Sequence, residues 1–230
     1  VSPIYPFRGG IANSSAAFVK NLIKNGEEVC VISFSTLYPK LLFPGKTQYV
    51  TEQKELSFST LSIINTLNPF SWVRAAKRIK SLNPKLVVFR YWTPWLSLCY
   101  SVIAKNIKAK KIAWIDNALP HERKTADTFL LSIFLTSVNE ALCLSASVAV
   151  ELKKYTKKEI SILFHPVDID LPPAIARKDA LLKLGLNPIM DYLLFFGLIR
   201  PYKGLDLLIK SLPQLRLSLI HISEPTRRTS

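Results

Sequence analysis

Short runs of β-branched and aromatic residues alternate along this chain with longer amphipathic stretches, and this alternation restricts the fold more than any other feature. Strands are expected at 1–4, 28–34, 86–90, 111–115, 141–144 and 160–163. Most are nearly continuous apolar runs, as in parallel strands covered on both faces. Helices are expected near 13–25, 69–82, 93–106, 126–138 and 146–155. Asn68-Pro69 supplies an N-cap followed by proline at the first helical position, and Gly26 closes the first helix. A strand–helix alternation of this kind specifies an α/β fold, a Rossmann-like, doubly wound parallel sheet.

The pattern changes near Pro166. Pro166, Pro172, Pro173 and Pro188 bracket a short amphipathic helix over 177–184 that ends at Gly185. A second unit then begins with a strand at 192–196, a turn over 197–204 and a helix over 205–212. The expected organisation is therefore a first Rossmann-like domain over 1–166, a linker over 167–190 and the opening of a second domain over 191–216. One strand and one helix cannot cover their own apolar faces, so the second domain is expected to be truncated. Residues 217–227 read LSLIHISEPTR, which resembles the translation of a sequencing-library adapter, so 217–230 are expected to be non-native. The opening Val1-Ser2-Pro3-Ile4 reads as the end of a buried strand, and the natural N-terminus is expected upstream.

The net charge is +15 and 49% of residues are hydrophobic, a globular composition with a strongly basic surface. The lysines are scattered, and no arginine-rich arm or aromatic nucleic-acid strand appears, so nucleic acid is not an expected partner. A solvated basic surface and peripheral contact with an anionic membrane remain as readings. No apolar run approaches the ~20 residues a membrane span needs. Cys30, Cys99 and Cys143 lie far apart among apolar neighbours, without metal-ligand spacing, and read as free thiols in a cytoplasmic protein.

Two loops carry candidate chemistry. Tyr5-Pro6-Phe7-Arg8-Gly9-Gly10 joins the first strand to the first helix, where adjacent glycines and a helix N-terminus suit an anionic ligand; a tight structural turn is the other reading. The third glycine of a dinucleotide fingerprint is absent. Gly197-Leu198-Ile199-Arg200-Pro201-Tyr202-Lys203-Gly204 stands in the corresponding place of the second unit, with Arg200 and Lys203 suited to a diphosphate. Tyr91-Trp92-Thr93-Pro94-Trp95 follows the third expected strand and reads either as core for the next helix or as a stacking surface.

The glycine pair after strand one, His165-Pro166-Val167-Asp168, and FFGLIRPYKGLDLL together resemble glycosyltransferase family 4. SPIYPFRGGIA, LYPKLLFPGKTQY and DNALPHE are similar to a bacterial branch of that family. The resemblance runs from Val1 to about Arg216. It implies a GT-B fold of two Rossmann-like domains and an enzyme that transfers a glycosyl group with retention of configuration. The implied donor is a nucleotide-diphosphate sugar, and the implied acceptor is a cell-envelope, polysaccharide or lipid-linked glycan. No metal or cofactor is implied, and the implied location is cytoplasmic, at the inner face of the cell membrane. A non-catalytic glycan- or nucleotide-binding relative is the alternative.

Carried over by position, the resemblance implies that Arg8, Gly9 and Gly10 line the donor and acceptor site and that Gly197 and Gly204 allow close backbone approach. Arg200 and Lys203 clamp the diphosphate. Asp116 and Asn117, at the end of the fourth expected strand, face the same cleft. Asp116 stands where many members have histidine, and His121 is the candidate to take that role. His165 reads as structural. The family's paired glutamates would lie beyond Arg216, so the chain alone is expected to be inactive.

Overall fold

A computed structural model describes residues 1–39, 47–50, 56–120, 125–164, 173–197, 199 and 201–214. The chain divides into two compact units, Val1–Ile169 and Asp170–Ser230.

In the first unit the strands are β1 (Cys30–Thr36), β2 (Ser59–Asn65), β3 (Leu86–Tyr91), β4 (Lys110–Ile115), β5 (Glu140–Cys143) and β6 (Ile160–Ile162). The helices are α1 (Gly10–Lys24), α2 (Pro69–Leu82), α3 (Ser97–Lys105), α4 (Thr125–Ser137) and α5 (Ala146–Leu152). All strand pairs are parallel, in the orders β1–β2 and β3–β4–β5–β6. The N-terminal segment 1–4 joins these two ladders. Ser2 N–H donates to the Ile32 carbonyl at 3.1 Å, and Arg90 N–H donates to the Val1 carbonyl at 3.0 Å. Val1 nitrogen donates in turn to the Val88 carbonyl at 2.6 Å. The backbone order is thus β2, β1, segment 1–4, β3, β4, β5, β6. This is the order of a doubly wound sheet, and its direction of winding reverses between segment 1–4 and β3.

The sequence expectation contained no strand at 59–65. Ser59, Ser62 and Thr60 interrupt its apolar residues, and as an edge strand it buries only Ile64 fully. The expected helix over 93–106 is divided into a 3-10 turn at Pro94–Leu96 and α3.

An aromatic cluster fills one side of the sheet. Tyr91 stacks on Phe134 of α4 with ring centres 5.0 Å apart, and Phe89 and Tyr100 of α3 close around them. Burying aromatic side chains of this size supplies much of a domain's hydrophobic driving force. Tyr100 Oη donates to the Arg90 carbonyl and Tyr91 Oη bonds Ser97 Oγ, so the polar tips are satisfied inside the core. The three thiols are free, and Cys99 and Cys143 are buried.

The second unit holds α6 (Arg177–Lys183), a 3-10 turn at Pro201–Lys203 and α7 (Leu205–Ser211). Arg177 donates to the Pro188 and Met190 carbonyls at 2.9 and 2.7 Å and so fastens the following loop. The strand expected at 192–196 does not form. Leu194 and Phe196 are exposed, and among the described residues no second strand of this unit offers a ladder. No residue of α7 is buried, as expected for a helix whose apolar face lacks a covering sheet.

Candidate functional site

The reversal point of the sheet carries the glycine pair. Segment 1–4 ends in a tight turn in which Phe7 N–H donates to the Ile4 carbonyl. The loop 47–50 then pairs antiparallel with residues 6–8: Arg8 N–H donates to the Gln48 carbonyl and Val50 N–H to the Pro6 carbonyl, both at 2.9 Å. Phe7 is the anchor. It is buried against Phe34, edge to face, and against Tyr49 at 5.1 Å.

Between this turn and the ends of β1 and β3 lies a cavity of about 150 Å³. Arg8, Gly9 and Gly10 line it, together with Tyr38, Gln48 and Trp92. Trp92 Nε1 donates to Tyr38 Oη at 3.0 Å, and burial raises the Tyr38 phenol above its ordinary value, so it remains protonated at neutral pH. Gln48 Nε2 donates to the Tyr38 carbonyl, while its Oε1 is buried with no donor among the described residues. An unsatisfied buried amide oxygen is costly, and a ligand hydroxyl or N–H would relieve that cost.

The two glycines differ. Gly9, the N-cap of α1, has φ 116° and ψ 168°, a backbone region that side chains with a Cβ avoid. Gly10 has no such requirement, and a Cβ built on it meets nothing within 4 Å. Glycine in a helix costs ~0.5–1 kcal/mol relative to alanine. Among the described residues nothing requires glycine at position 10, and the open space beside it would admit close approach of a ligand. No side chain caps α1 at Gly9, so its first N–H groups remain available to an acceptor.

Asp116 follows β4 and does not present a free carboxylate. Arg90 Nε donates to Asp116 Oδ2 and Arg90 Nη2 to Asp116 Oδ1, both at 2.8 Å. Arg90 Nη1 reaches Ser15 Oγ on α1 at 3.3 Å, and Ser15 bonds Ser2 at 2.7 Å. The guanidinium lies 4.0 Å from the centre of the Trp114 ring, a cation–π contact, and Phe18 meets that ring edge-on. Through Arg90, Asp116 thus holds α1 against β3 and β4.

Asn117 is exposed. His121 and Arg200 lie outside the described residues, as do His165 and Asp168. Lys203 is exposed in the second unit, with Nζ 5.6 Å from the Tyr202 ring centre, and Gly204 adopts φ 69° as the N-cap of α7. Gly197 has φ 127° and open space around it.

The aromatic run after β3 divides. Tyr91 enters the core, Trp92 lines the cavity, and Trp95 donates Nε1 to the Leu37 carbonyl at 3.2 Å. Sequence reasoning did not single out Tyr38, Gln48, Ser15 or Arg90. One signal for Arg90 was available: a lone cation inside the apolar run LVVFRY requires a carboxylate, and Asp116 ends the neighbouring strand. Among the described residues no group of three or more His, Cys, Asp or Glu could hold a metal, and no helix is long and apolar enough to cross a membrane. No protein-family model matches this chain, and no curated protein sequence matches it.

Proposed function

We propose that this chain is part of a retaining glycosyltransferase with a GT-B organisation, moving a sugar from a nucleotide-diphosphate sugar to a glycan or lipid-linked acceptor. The observation that carries the reading is Gly10: a glycine beside which the described residues leave open space, at the head of a helix, lining the same cavity at the sheet's reversal point as Gln48, whose Oε1 has no partner among the described residues. Open α/β sheets bind ligands at that point, beyond the carboxyl ends of the strands. The cavity wall suits a sugar, since Trp92 and Tyr38 offer aromatic faces and Gln48 offers an acceptor to a hydroxyl. Arg8 adds a cation beside the helix terminus, appropriate to phosphate. In this reading Arg200 and Lys203 stabilise the charge that grows on the departing diphosphate, an electrostatic contribution present before reaction begins.

The test is release of nucleoside diphosphate from a panel of UDP-, GDP- and ADP-sugars by the full-length protein, with membrane-extracted glycans and lipids as acceptors. Acceptor-dependent release from one donor supports the proposal. Binding of a glycan with no donor turnover would move the chain to the class of glycan-binding proteins.

A further inference from the structure

Gln48 has a fixed backbone and a loosely held side chain. Arg8 N–H donates to its carbonyl, and two residues on Val50 N–H donates to the Pro6 carbonyl, both at 2.9 Å. Between them Tyr49 packs on Phe7, and Thr47 Oγ1 accepts from Tyr49 N–H at 3.1 Å. The carboxamide itself is held by one bond, from Nε2 to the Tyr38 carbonyl at 3.3 Å, which is longer than usual for N–H···O. That bond identifies the other end of the amide as the oxygen. Oε1 is shielded from solvent and has no donor among the described residues.

Two donors on residues that line the same cavity are already used. Trp92 Nε1 donates to Tyr38 Oη at 3.0 Å, and Arg8 N–H is spent on the Gln48 carbonyl. An amide oxygen so placed has lost water and gained no partner. The last torsion of glutamine is broad, so Oε1 turns at little cost toward a donor that enters the cavity. A hydroxyl or an N–H supplies that donor. A carboxylate or phosphate oxygen brings a second acceptor against the first. The cavity, about 150 Å³, is small beside the roughly 300–1,000 Å³ of sites for drug-sized ligands and suits a single ring.

We infer that Gln48 is the specificity-determining residue of this cavity: its Oε1 accepts from one hydroxyl of the sugar ring bound there, and rings that lack that hydroxyl, or carry an acid in its place, are rejected. The inference rests on the reading of the cavity as a substrate site. Rejection is strong because an unmatched ring leaves the amide oxygen unpaired again, now without access to water.

The test uses no nucleotide sugar. Binding of the methyl glycosides of glucose, galactose and mannose to the chain is measured by ligand-detected NMR. The tightest binder is then compared with its monodeoxy and monodeoxyfluoro analogues. Fluorine is close to a hydroxyl in size but cannot donate. At one ring position both replacements are expected to weaken binding about tenfold to a hundredfold. Gln48→Met keeps the length of the side chain and removes the acceptor. It is expected to bind the parent glycoside and those two analogues equally, at about the affinity of the unaltered chain for the analogues. Thermal unfolding checks that the variant is folded, and the analogue series on the unaltered chain is decisive by itself. No binding of any glycoside, fluoro analogues that all bind within about twofold of the parent, or discrimination unchanged in Gln48→Met would each overturn the inference. Nucleotide-sugar turnover by the full-length protein, with discrimination unchanged in Gln48→Met, would overturn the inference and leave glycosyl transfer standing. Gln48-dependent discrimination without donor turnover would support the inference and remove the transfer reading.

Discussion

Arg90 and Asp116 are joined by two parallel hydrogen bonds of 2.8 Å, one from Nε and one from Nη2, in a site where the arginine side chain is only 5% exposed. The pair is shared by three elements, because the third guanidinium nitrogen reaches Ser15 on α1 and the whole group rests on Trp114. Removing one member leaves a buried charge without a partner, which costs ~3–5 kcal/mol. Arg90→Ala is expected to lower unfolding stability by about 3 kcal/mol, read from urea midpoints with an unchanged slope. Asp116→Ala is expected to cost a similar amount, and the double variant less than the sum. Strict additivity would show that the two residues do not act as a unit.

Gly9→Ala forces a side chain into φ 116° and is expected to cost ~1–3 kcal/mol. Gly10→Ala meets open space and ordinary helix geometry and is expected to be neutral or to stabilise by up to about 1 kcal/mol. Thermal unfolding of the two variants side by side checks this contrast. Equal costs would mean that the turn constrains both positions.

Lys158 donates from one ammonium to the carbonyls of Leu135, Thr136 and Val138 at the carboxyl end of α4. A cation there answers both the unpaired carbonyls and the helix dipole. Lys158→Ala is expected to destabilise by about 1 kcal/mol, while Lys157→Ala, one residue away and exposed, is expected to have no measurable effect. Denaturant titration of both variants decides.

Burial holds the Cys99 thiol well above its ordinary value. Only the thiolate reacts, so native protein at neutral pH is expected to leave Cys99 unmodified by iodoacetamide, and denatured protein to modify it fully. Peptide mass mapping reads the difference, and labelling of Cys99 in the native state would contradict its place in the core.

Much of the first unit was legible because parallel strands buried on both faces write themselves as nearly continuous apolar runs, as in residues 86–89 ahead of Arg90. β2 was not legible, because an edge strand has less to bury and its serines and threonines read as loop. Segment 1–4 was expected as a strand; it forms no regular strand, although Val1 and Ser2 bond to the ladders on both sides. The glycine turn was legible as a candidate site, but Tyr38 and Gln48 beside it were not. Gln48 arrives on residues 47–50, which pair with residues 6–8 across forty positions of sequence, and no local pattern announces such a pairing. In the second unit the apolar run at 192–196 wrote a strand that lacks a partner among the described residues.

Under the proposed function, Lys203 is expected to act on the reaction and not on stability. It is exposed, and Lys203→Ala is expected to lower turnover of the full-length protein about a hundredfold with the unfolding temperature unchanged. Steady-state rates with whichever nucleotide sugar of the panel is turned over provide the check, and near-wild-type rates would make the turn a solvated basic loop.

The most direct test of the glycine site is Gly10→Val in the full-length protein, assayed for nucleotide-sugar turnover beside its thermal unfolding. In the space beside position 10 a Cβ meets none of the described residues, so the unfolding temperature is expected to stay within a few degrees of wild type. If that space receives the reacting groups, displacing them by about an ångström lowers turnover about a hundredfold. Turnover within about twofold of wild type would contradict the assignment of the cavity beside Gly10 as the place where substrate binds.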